Sequence, residues 1–488
     1  MKVLFLNPPF HKMFSRESRS PAVAKSGTLY MPKWLATAAG VAIREGYNVD
    51  FIDAPAPSCQ VVDIYTYIKD KTFDALVCDC STPSIVNDIS VIEKIQKENP
   101  ALKIIMVGRH VSAMPLETFA MSDYLKYIAV REYEYIVRDW LNALRDATDT
   151  ANVKGLAWRN DKGEAVINDP MPAIENLDEL PFVSSVYKKY LNINDYYYGH
   201  SKYPIITIDT SRGCPFMCSF CAYPQTFSGH KVRSRSVKNV IDEFHYIKEN
   251  YPDVKAVMFE DDTFILDKKR ATDLADGLIA INNKLEISCN QRADVDFDLS
   301  FLMKMKMAGI RLFCVGIESG DDKILKDIQK GLNIEMTRKF MKNCKKAGIL
   351  VNGCFMFGNL NETMETMRKT LRLALELSPD TAQFYPIMIY PGTRVYAEAK
   401  KRGLLKTENF SEWLTSEGLH NSVINLPYIS NRDVVKFADY CRRKFYLRFS
   451  YIFNKTIQSI LDLGELKRNL KGFIVFSKYL IPGSFGKS

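Results

Sequence analysis

From residue 203 to about 397, strand-like and helix-like runs alternate about six times, and no other feature restricts the fold as much. Apolar, β-branched runs fall at 205–210, 256–260, 286–290, 312–317, 350–357 and 381–390. Helical periodicity fills the gaps, as at 237–250 and 268–281. Strands joined through helices pair in parallel, because each return needs a crossover rather than a hairpin. Six such units predict a (β/α)6 partial TIM barrel, with function at the carboxyl ends of its strands.

Residues 1 to about 145 read as a second α/β unit. Strands are expected at 3–7, 49–52, 75–78, 103–107 and 127–130, and helices at 34–45, 85–98 and 133–144. This predicts a doubly wound, Rossmann-like parallel sheet with its ligand at the strands' carboxyl edge. Residues 151–200 are a linker with a hairpin turning at Asn160-Asp161-Lys162-Gly163. The expected division is therefore 1–150, 151–200, 201–400 and a mostly helical, basic cap over 401–488.

A chain of 488 residues exceeds one core, in keeping with several domains. No run of about 18 uncharged apolar residues exists, so no transmembrane helix is expected. The start reads as a strand and turn, not a signal peptide. Eleven Cys, an odd number, suit a reducing cytoplasm. The net charge of +9 is concentrated: from Arg442 onward ten Lys or Arg face only Asp462 and Glu465. A basic tail fits an anionic membrane, nucleic acid or a solvated helix face.

Cys214, Cys218 and Cys221 follow the first barrel strand. Thiolates spaced C-x3-C-x2-C can each reach a separate iron of a [4Fe–4S] cube, leaving the fourth iron without a protein ligand. Structural zinc prefers four closed ligands. Three buried thiols on a turn are the bland alternative, but Gly213 and Pro215 let a loop curl round a cluster. Later strand ends carry Glu260-Asp261-Asp262, Arg292, Glu318-Ser319, Phe355 to Gly358, and Tyr390. Consecutive acids after a buried strand are costly unless they bind something. The plain alternatives are a helix cap by Asp262 or Thr263 and a rim salt bridge for Arg292.

The segment Cys-x3-Cys-x2-Phe-Cys, with these strand ends in order, resembles the radical S-adenosylmethionine (SAM) enzymes. The resemblance implies that the cluster's free iron binds SAM and cleaves it to a 5′-deoxyadenosyl radical. It assigns catalysis to Cys214, Cys218, Cys221 and Asp262. It assigns SAM contacts to Phe220, Glu260, Asp261, Arg292, Glu318, Ser319, Phe355 and Gly358. It also implies an external electron donor of the flavodoxin or ferredoxin type. Asn359 and Asn361 depart from the family's strand-five turn, and its proline is absent.

The N-terminal unit resembles the cobalamin-binding domain fused to some of these enzymes. The matching residues include Pro8, Pro9, Pro32, Trp34, Asp53, Ser81, Thr82, Gly108, His110, Glu132 and Tyr133. Arg109 and Arg131 depart from the family pattern by adding bulk. The Asp-x-His-x-x-Gly loop is absent, so cobalamin with no His on its cobalt is implied. Residues 221–237 resemble the branch of bacteriohopanetetrol cyclitol ether synthase and calditol synthase. That likeness implies carbon–carbon ring closure on a membrane-lipid-linked polyol, with Tyr223, Gln225, His230 and Tyr390 facing substrate. C-methyl transfer to a small molecule, natural product or peptide is the alternative. The aromatic residues Phe445, Tyr446, Phe449, Tyr451, Phe473, Phe476 and Tyr479 among the C-terminal charges suit peripheral docking on a membrane's inner face. An RNA-modifying enzyme stays as a third reading, without an OB-fold, KH or RRM signature.

Overall fold

The computed structural model describes residues 1–61, 63–294 and 297–480. The first sheet holds β1 (Lys2–Asn7), β2 (Asn48–Asp53), β3 (Ala75–Cys80), β4 (Lys103–Gly108), β5 (Tyr127–Ala129), β6 (Leu156–Arg159) and β7 (Ala165–Ile167). Its order is β2-β1-β3-β4-β5-β6-β7. The first five strands are parallel and the last two antiparallel. Helices α1 (Lys33–Arg44), α2 (Ile85–Glu98) and α3 (Glu134–Arg145) cover its faces. Val3 and Phe5 of β1 join the core with Leu35 of α1 and Trp140 of α3, whereas Leu4 and Leu6 join the core with Ile89 and Ile92 of α2. Alternate residues thus enter two cores, which is why the strand reads as an unbroken apolar run. The order reverses between β1 and β3, so the expected ligand crevice lies beyond Asn7 and Cys80.

The hairpin expected in the linker is instead part of this sheet, as β6 and β7. Trp158 pairs with Tyr127 across the ladder, covering an edge of β5 that would otherwise be open.

The second sheet holds β8 (Ile205–Ile208), β9 (Ala256–Phe259), β10 (Glu286–Gln291), β11 (Ile310–Glu318), β12 (Leu350–Phe357) and β13 (Thr381–Pro386). The strands follow chain order and all pair in parallel, as a partial barrel requires. Helices such as α4 (Val237–Asn250) and α5 (Lys268–Ala280) form the crossovers. Asp267 caps α5, accepting from the backbone N–H groups of Lys269 and Arg270. Asp262 and Thr263 are therefore not helix caps.

The C-terminal region forms α6 (Asn431–Tyr446), α7 (Phe449–Leu461) and α8 (Leu463–Leu480). Helix α6 lies along the barrel edge. The Tyr446 hydroxyl accepts from Ala382 N at 2.9 Å and donates to Ala382 O at 2.8 Å, and Arg442 donates to Phe384 O at 2.6 Å. This alters the picture of a freely charged tail. Arg442 is buried against β13, and Arg468 is buried beside Glu465 at 2.8 Å. Phe445 is likewise core, not surface. The side chains of Phe476 and Tyr479, and Lys487, lie outside the described residues. Among the described residues no helix is long and apolar enough to cross a membrane.

Candidate active site

The cysteine loop leaves β8 and is closed at its base by a short antiparallel ladder, Arg212 opposite Arg233 and Ser211 opposite Ser234. Gly213 turns it at φ +91°, where a Cβ would lie 2.1 Å from the Lys231 carbonyl oxygen. Only glycine fits there. The loop is pinned from several sides. Asp262 Oδ2 accepts from Gly213 N at 3.1 Å and from the Ser228 hydroxyl at 2.9 Å. Gln225 Nε2 donates to Cys221 O at 2.8 Å and Cys218 O at 3.2 Å, and His230 Nδ1 lies 3.0 Å from Cys214 O. Gln225 and His230, expected to face substrate, instead hold the loop's backbone, because a three-Cys excursion leaves carbonyls that need donors. Asp262, expected in catalysis, is also placed as a loop support.

One guanidinium group lies against a thiol, and a second acts on the loop by its charge. Arg292 Nη1 lies 3.6 Å from Cys218 Sγ, and the charge of Arg19 acts on Cys221. Burial still pushes the Cys221 thiol up to about 12. A coordinated metal deprotonates such a thiol outright, and cations nearby favour the anionic sulfur. Among the described residues no three His, Cys, Asp or Glu side chains gather round a point that would hold a single ion. A cube asks for something else: each thiolate on its own iron. The donor set therefore fits an iron–sulfur cluster better than lone zinc.

The other strand ends divide into groups that face the loop and groups already engaged. Glu260 has Oε1 buried without a partner, while Oε2 accepts from Asn290 at 3.3 Å. Burial raises its carboxyl above the usual carboxylate range. Glu318 ends β11 at φ +64° and pairs with Lys330 at 2.9 Å. Lys330 stands 5.9 Å from the centre of the Phe220 ring, which is partly exposed. Arg292 stacks on Phe216 at 3.6 Å and pairs with Asp294 at 2.6 Å, so the rim salt bridge is present and leaves the guanidinium beside Cys218.

Four residues assigned to SAM are committed elsewhere. Asp261 accepts from Thr210 N, the Thr210 hydroxyl and the Ser211 hydroxyl, each at 2.6 Å, which fixes the start of the loop. Ser319 Oγ accepts from Asp321 N at 3.2 Å. Phe355 is fully buried against Phe384, because alternation along β12 turns it outward and Cys354 inward. Gly358 N donates to Glu362 at 2.7 Å.

The residues assigned to cobalamin show the same division. Ser81 and Thr82 line a cleft with Pro21, Arg109, Thr226, Tyr390 and Pro391, where the carboxyl edge of the first sheet meets the barrel mouth. Gly108, at φ +114°, lets β4 pass the Cys80 carbonyl, which a Cβ would meet at 2.5 Å. Tyr390 shares a hydrogen bond with Ser20 at 2.9 Å. His110 is buried, with Nδ1 3.2 Å from the Thr82 hydroxyl, and burial lowers its pKa to about 3. Pro8 and Pro9 expose carbonyls taken by Arg16 at 3.1 Å and Asn87 at 2.8 Å. Pro32 precedes α1.

Trp34, Asp53, Glu132 and Tyr133 do not face the cleft. Trp34 is packed between Arg212, 4.1 Å from its ring centre, and Phe227 at 4.7 Å. Glu132 pairs with Arg233 at 2.5 Å with both side chains buried, Tyr133 packs against Phe227, and Tyr196 donates to Asp53 at 2.5 Å. Trp34, Glu132 and Tyr133 fasten the first sheet to the barrel, and Asp53 fastens it to the segment that leads into β8. Tyr223 is similar: its hydroxyl donates to Glu17 O at 2.8 Å while Arg19 and Arg109 lie over its ring at 5.1 and 4.5 Å. The cleft measures about 260 Å³ with its open mouth. Pro21 stands in its lining, so the segment between β1 and α1 forms part of the cleft wall.

Sequence reading passed over Arg16, Arg19 and Lys330. Arg19 pairs with Asp262 at 3.1 Å, and Lys33 with Asp209.

Two family profiles match the chain: the radical SAM superfamily over residues 208–374 and the B12 binding domain over residues 19–139. An uncharacterized methyltransferase of Pyrococcus horikoshii is 31% identical over 481 residues, covering 97% of this chain and 98% of the relative. The chain belongs to the radical SAM superfamily, among members that carry a B12-binding domain. An anaerobic magnesium-protoporphyrin IX monomethyl ester cyclase of Rubrivivax gelatinosus is 25% identical over 403 residues, 82% of this chain and 70% of the relative. The radical SAM methyltransferase TsrM of Kitasatospora setae shares the fold. One of its structures, with tryptophan and aza-SAM, has a TM-score of 0.68 at 17% identity; another, with cobalamin and a [4Fe–4S] cluster, scores 0.65 at 16%. Each covers 90% of this chain and 88% of TsrM. This radical SAM protein is an enzyme whose cofactors are a [4Fe–4S] cluster, SAM and cobalamin, and the family requires an external reductant.

Proposed function

We propose that this enzyme is a cobalamin-dependent radical SAM C-methyltransferase acting on an unactivated carbon. The observation that carries the reading is the cleft, where Ser81, Thr82 and Arg109 from the first sheet meet Thr226 and Tyr390 beside the cysteine loop. Residues 1–150 would hold cobalamin and residues 201–400 the cluster and SAM, so both cofactors would serve one reacting carbon. When bound, the cobalamin supplies a methyl-carrying cobalt and the cluster supplies one-electron cleavage of SAM. The chain's part is to bind, orient and exclude water. Cys214, Cys218 and Cys221 would take three irons. Lys330 and Glu318, opposite in charge beside Phe220, suit the carboxylate and amino groups of SAM. Glu260, with a free oxygen, and Tyr390 suit contacts to substrate. The near-full-length methyltransferase relative also supports this choice.

Ring closure by carbon–carbon bond formation is the second reading. The cyclase relative and the likeness of residues 221–237 to the cyclitol-forming branch favour it. A lipid-linked polyol as its substrate rests on the C-terminal region meeting an anionic membrane. Anaerobic incubation with SAM, reductant, hydroxocobalamin and a metabolite or lipid extract separates the readings by mass spectrometry. S-Adenosylhomocysteine together with 5′-deoxyadenosine supports methylation. 5′-Deoxyadenosine without S-adenosylhomocysteine would overturn it in favour of ring closure.

A further inference from the structure

Helix α7 is inside out. Phe449, Ile452, Phe453, Ile457, Ile460 and Leu461 recur at helical spacing and all face solvent, with Phe449, Ile460 and Leu461 exposed to 83%, 75% and 81%. The side turned to the protein carries Tyr451, Lys455, Gln458 and Ser459, each half-buried. The Tyr451 hydroxyl donates to Asp380 O at 3.2 Å, Lys455 donates to Gln458 at 2.8 Å, and Asn469 of α8 donates to Ser459 at 2.9 Å. A helix on an ordinary water-facing surface has the opposite arrangement. Helix α8 extends the face with exposed Leu470, Phe473 and Ile474, interleaved with exposed Lys467 and Lys478, while Lys471, also exposed, rests its ammonium over the rings of Tyr197 at 4.3 Å and Tyr203 at 4.0 Å. The two acids of this hairpin are both engaged: Asp462 with Lys202 at 2.9 Å, and Glu465 between Arg311 and Arg468.

We propose that α7 and α8 form a docking surface for a bilayer of anionic phospholipid. The proposal deepens the membrane element of the proposed function and rests on it. It replaces Arg442 and Arg468, which are buried, with an apolar stripe rimmed by lysines. Contiguous exposed apolar surface marks an interaction site, and lysines beside it fit the headgroup level of a negatively charged leaflet. A second copy of this chain would set lysines against lysines.

The attachment of the hairpin fixes which way the enzyme would face. Arg311 stands at the start of β11, Arg468 donates to Gly199 O at 3.0 Å ahead of β8, and Asp380 precedes β13. All are amino ends of barrel strands, whereas the cysteine loop follows a carboxyl end. Docking here turns the cysteine loop away from the lipid. The surface anchors the enzyme and does not feed an acyl chain to the cluster.

The test is co-sedimentation of the reconstituted full-length holoenzyme with phosphatidylglycerol–phosphatidylcholine vesicles and with pure phosphatidylcholine. One variant combines Phe449→Ser, Phe453→Ser and Ile460→Ser; a second combines Lys467→Gln, Lys471→Gln and Lys478→Gln. All six side chains are exposed, and retained cluster absorbance and circular dichroism certify the fold. The expected result is anionic-selective binding by the unaltered enzyme. The apolar variant should lose it by about tenfold or more at low and high salt, and the lysine variant mainly at low salt. If the apolar variant binds like the unaltered enzyme while the lysine variant does not, charge alone docks the protein: the apolar stripe, and with it this proposal, is refuted and the membrane element survives. If the unaltered enzyme binds no vesicle, both fall. If it forms a lipid-free dimer that the apolar variant dissociates, the stripe belongs to a second copy and the proposal is overturned.

Discussion

The two carboxyl edges that meet at the cleft obey one topological rule and use their residues differently. At the barrel edge, Cys214, Cys218, Cys221 and Phe220 share one loop, with Arg292 and Lys330 beside it and Glu260 and Glu318 at neighbouring strand ends. At the edge of the first sheet, Ser81, Thr82 and Arg109 line the cleft, beside the close passage at Gly108. Trp34, Glu132 and Tyr133 fasten domains instead, and Asp53 the segment that leads into β8. A sheet that must both bind a ligand and dock on a partner divides its strand ends between the tasks. A barrel already closed by its own helices keeps more of them for chemistry.

The largest expected effect tests the barrel side. Replacing any one of Cys214, Cys218 or Cys221 by Ala should abolish the brown chromophore and all 5′-deoxyadenosine formation, followed by absorbance and mass spectrometry. Full activity in such a variant would remove the basis for calling this edge the reacting one.

Next comes the docking role of the first sheet. Arg233→Ala strands the buried Glu132 carboxylate, and breaking such a pair costs about 3–5 kcal/mol. Chemical denaturation should show this as an earlier first transition, with corrinoid affinity in the folded protein much less affected. A selective loss of corrinoid binding with unchanged stability would return Glu132 to the cofactor.

A pH effect of somewhat smaller size sharpens the same point. Burial raises Asp53 from 3.8 to about 6, against the opposing hydrogen bonds of Tyr196 and Asn7. The folded protein therefore binds a proton that the unfolded chain releases near pH 4. This contribution is fully present below about pH 4 and is lost as pH rises through 6, about 3 kcal/mol in all. Asp53→Asn cannot ionise. The unaltered protein should lose about that much stability relative to Asp53→Asn between pH 4 and 7, and parallel denaturation midpoints would disprove it.

The smallest expected effect concerns His110. Its ring is buried with Nδ1 at the Thr82 hydroxyl, and the expectation is that it does not ligate cobalt. The Co(II) form should show no nitrogen superhyperfine splitting from an axial base, and His110→Ala should leave the spectrum unchanged. A nitrogen triplet that vanishes in the variant would make His110 a ligand.

Much of this architecture was legible. The span of α2 and of β12 followed from periodicity alone, and the cysteine loop from its spacing and Gly213. The joining of β6 and β7 to the first sheet was not, because a hairpin reads the same whether free or paired. Gln225 and His230 looked like substrate contacts because polar residues near a cluster loop give no sign in sequence of which carbonyl they will meet.

Sequence by itself determined the two α/β units, their order, the three-Cys spacing on the loop after the first barrel strand and the concentration of positive charge after Arg442. Local pattern and spacing carry that information, since strand period, helix period and loop chemistry act over a few residues. Tertiary structure alone decided that Glu132 belongs to Arg233, that Arg442 and Arg468 are buried while α7 turns its apolar side outward, and that Arg19 reaches Asp262. Those pairings join residues up to 243 positions apart. The partner of a buried charge is set by which surfaces meet, because an ion desolvated without a counter-charge costs more than packing can return.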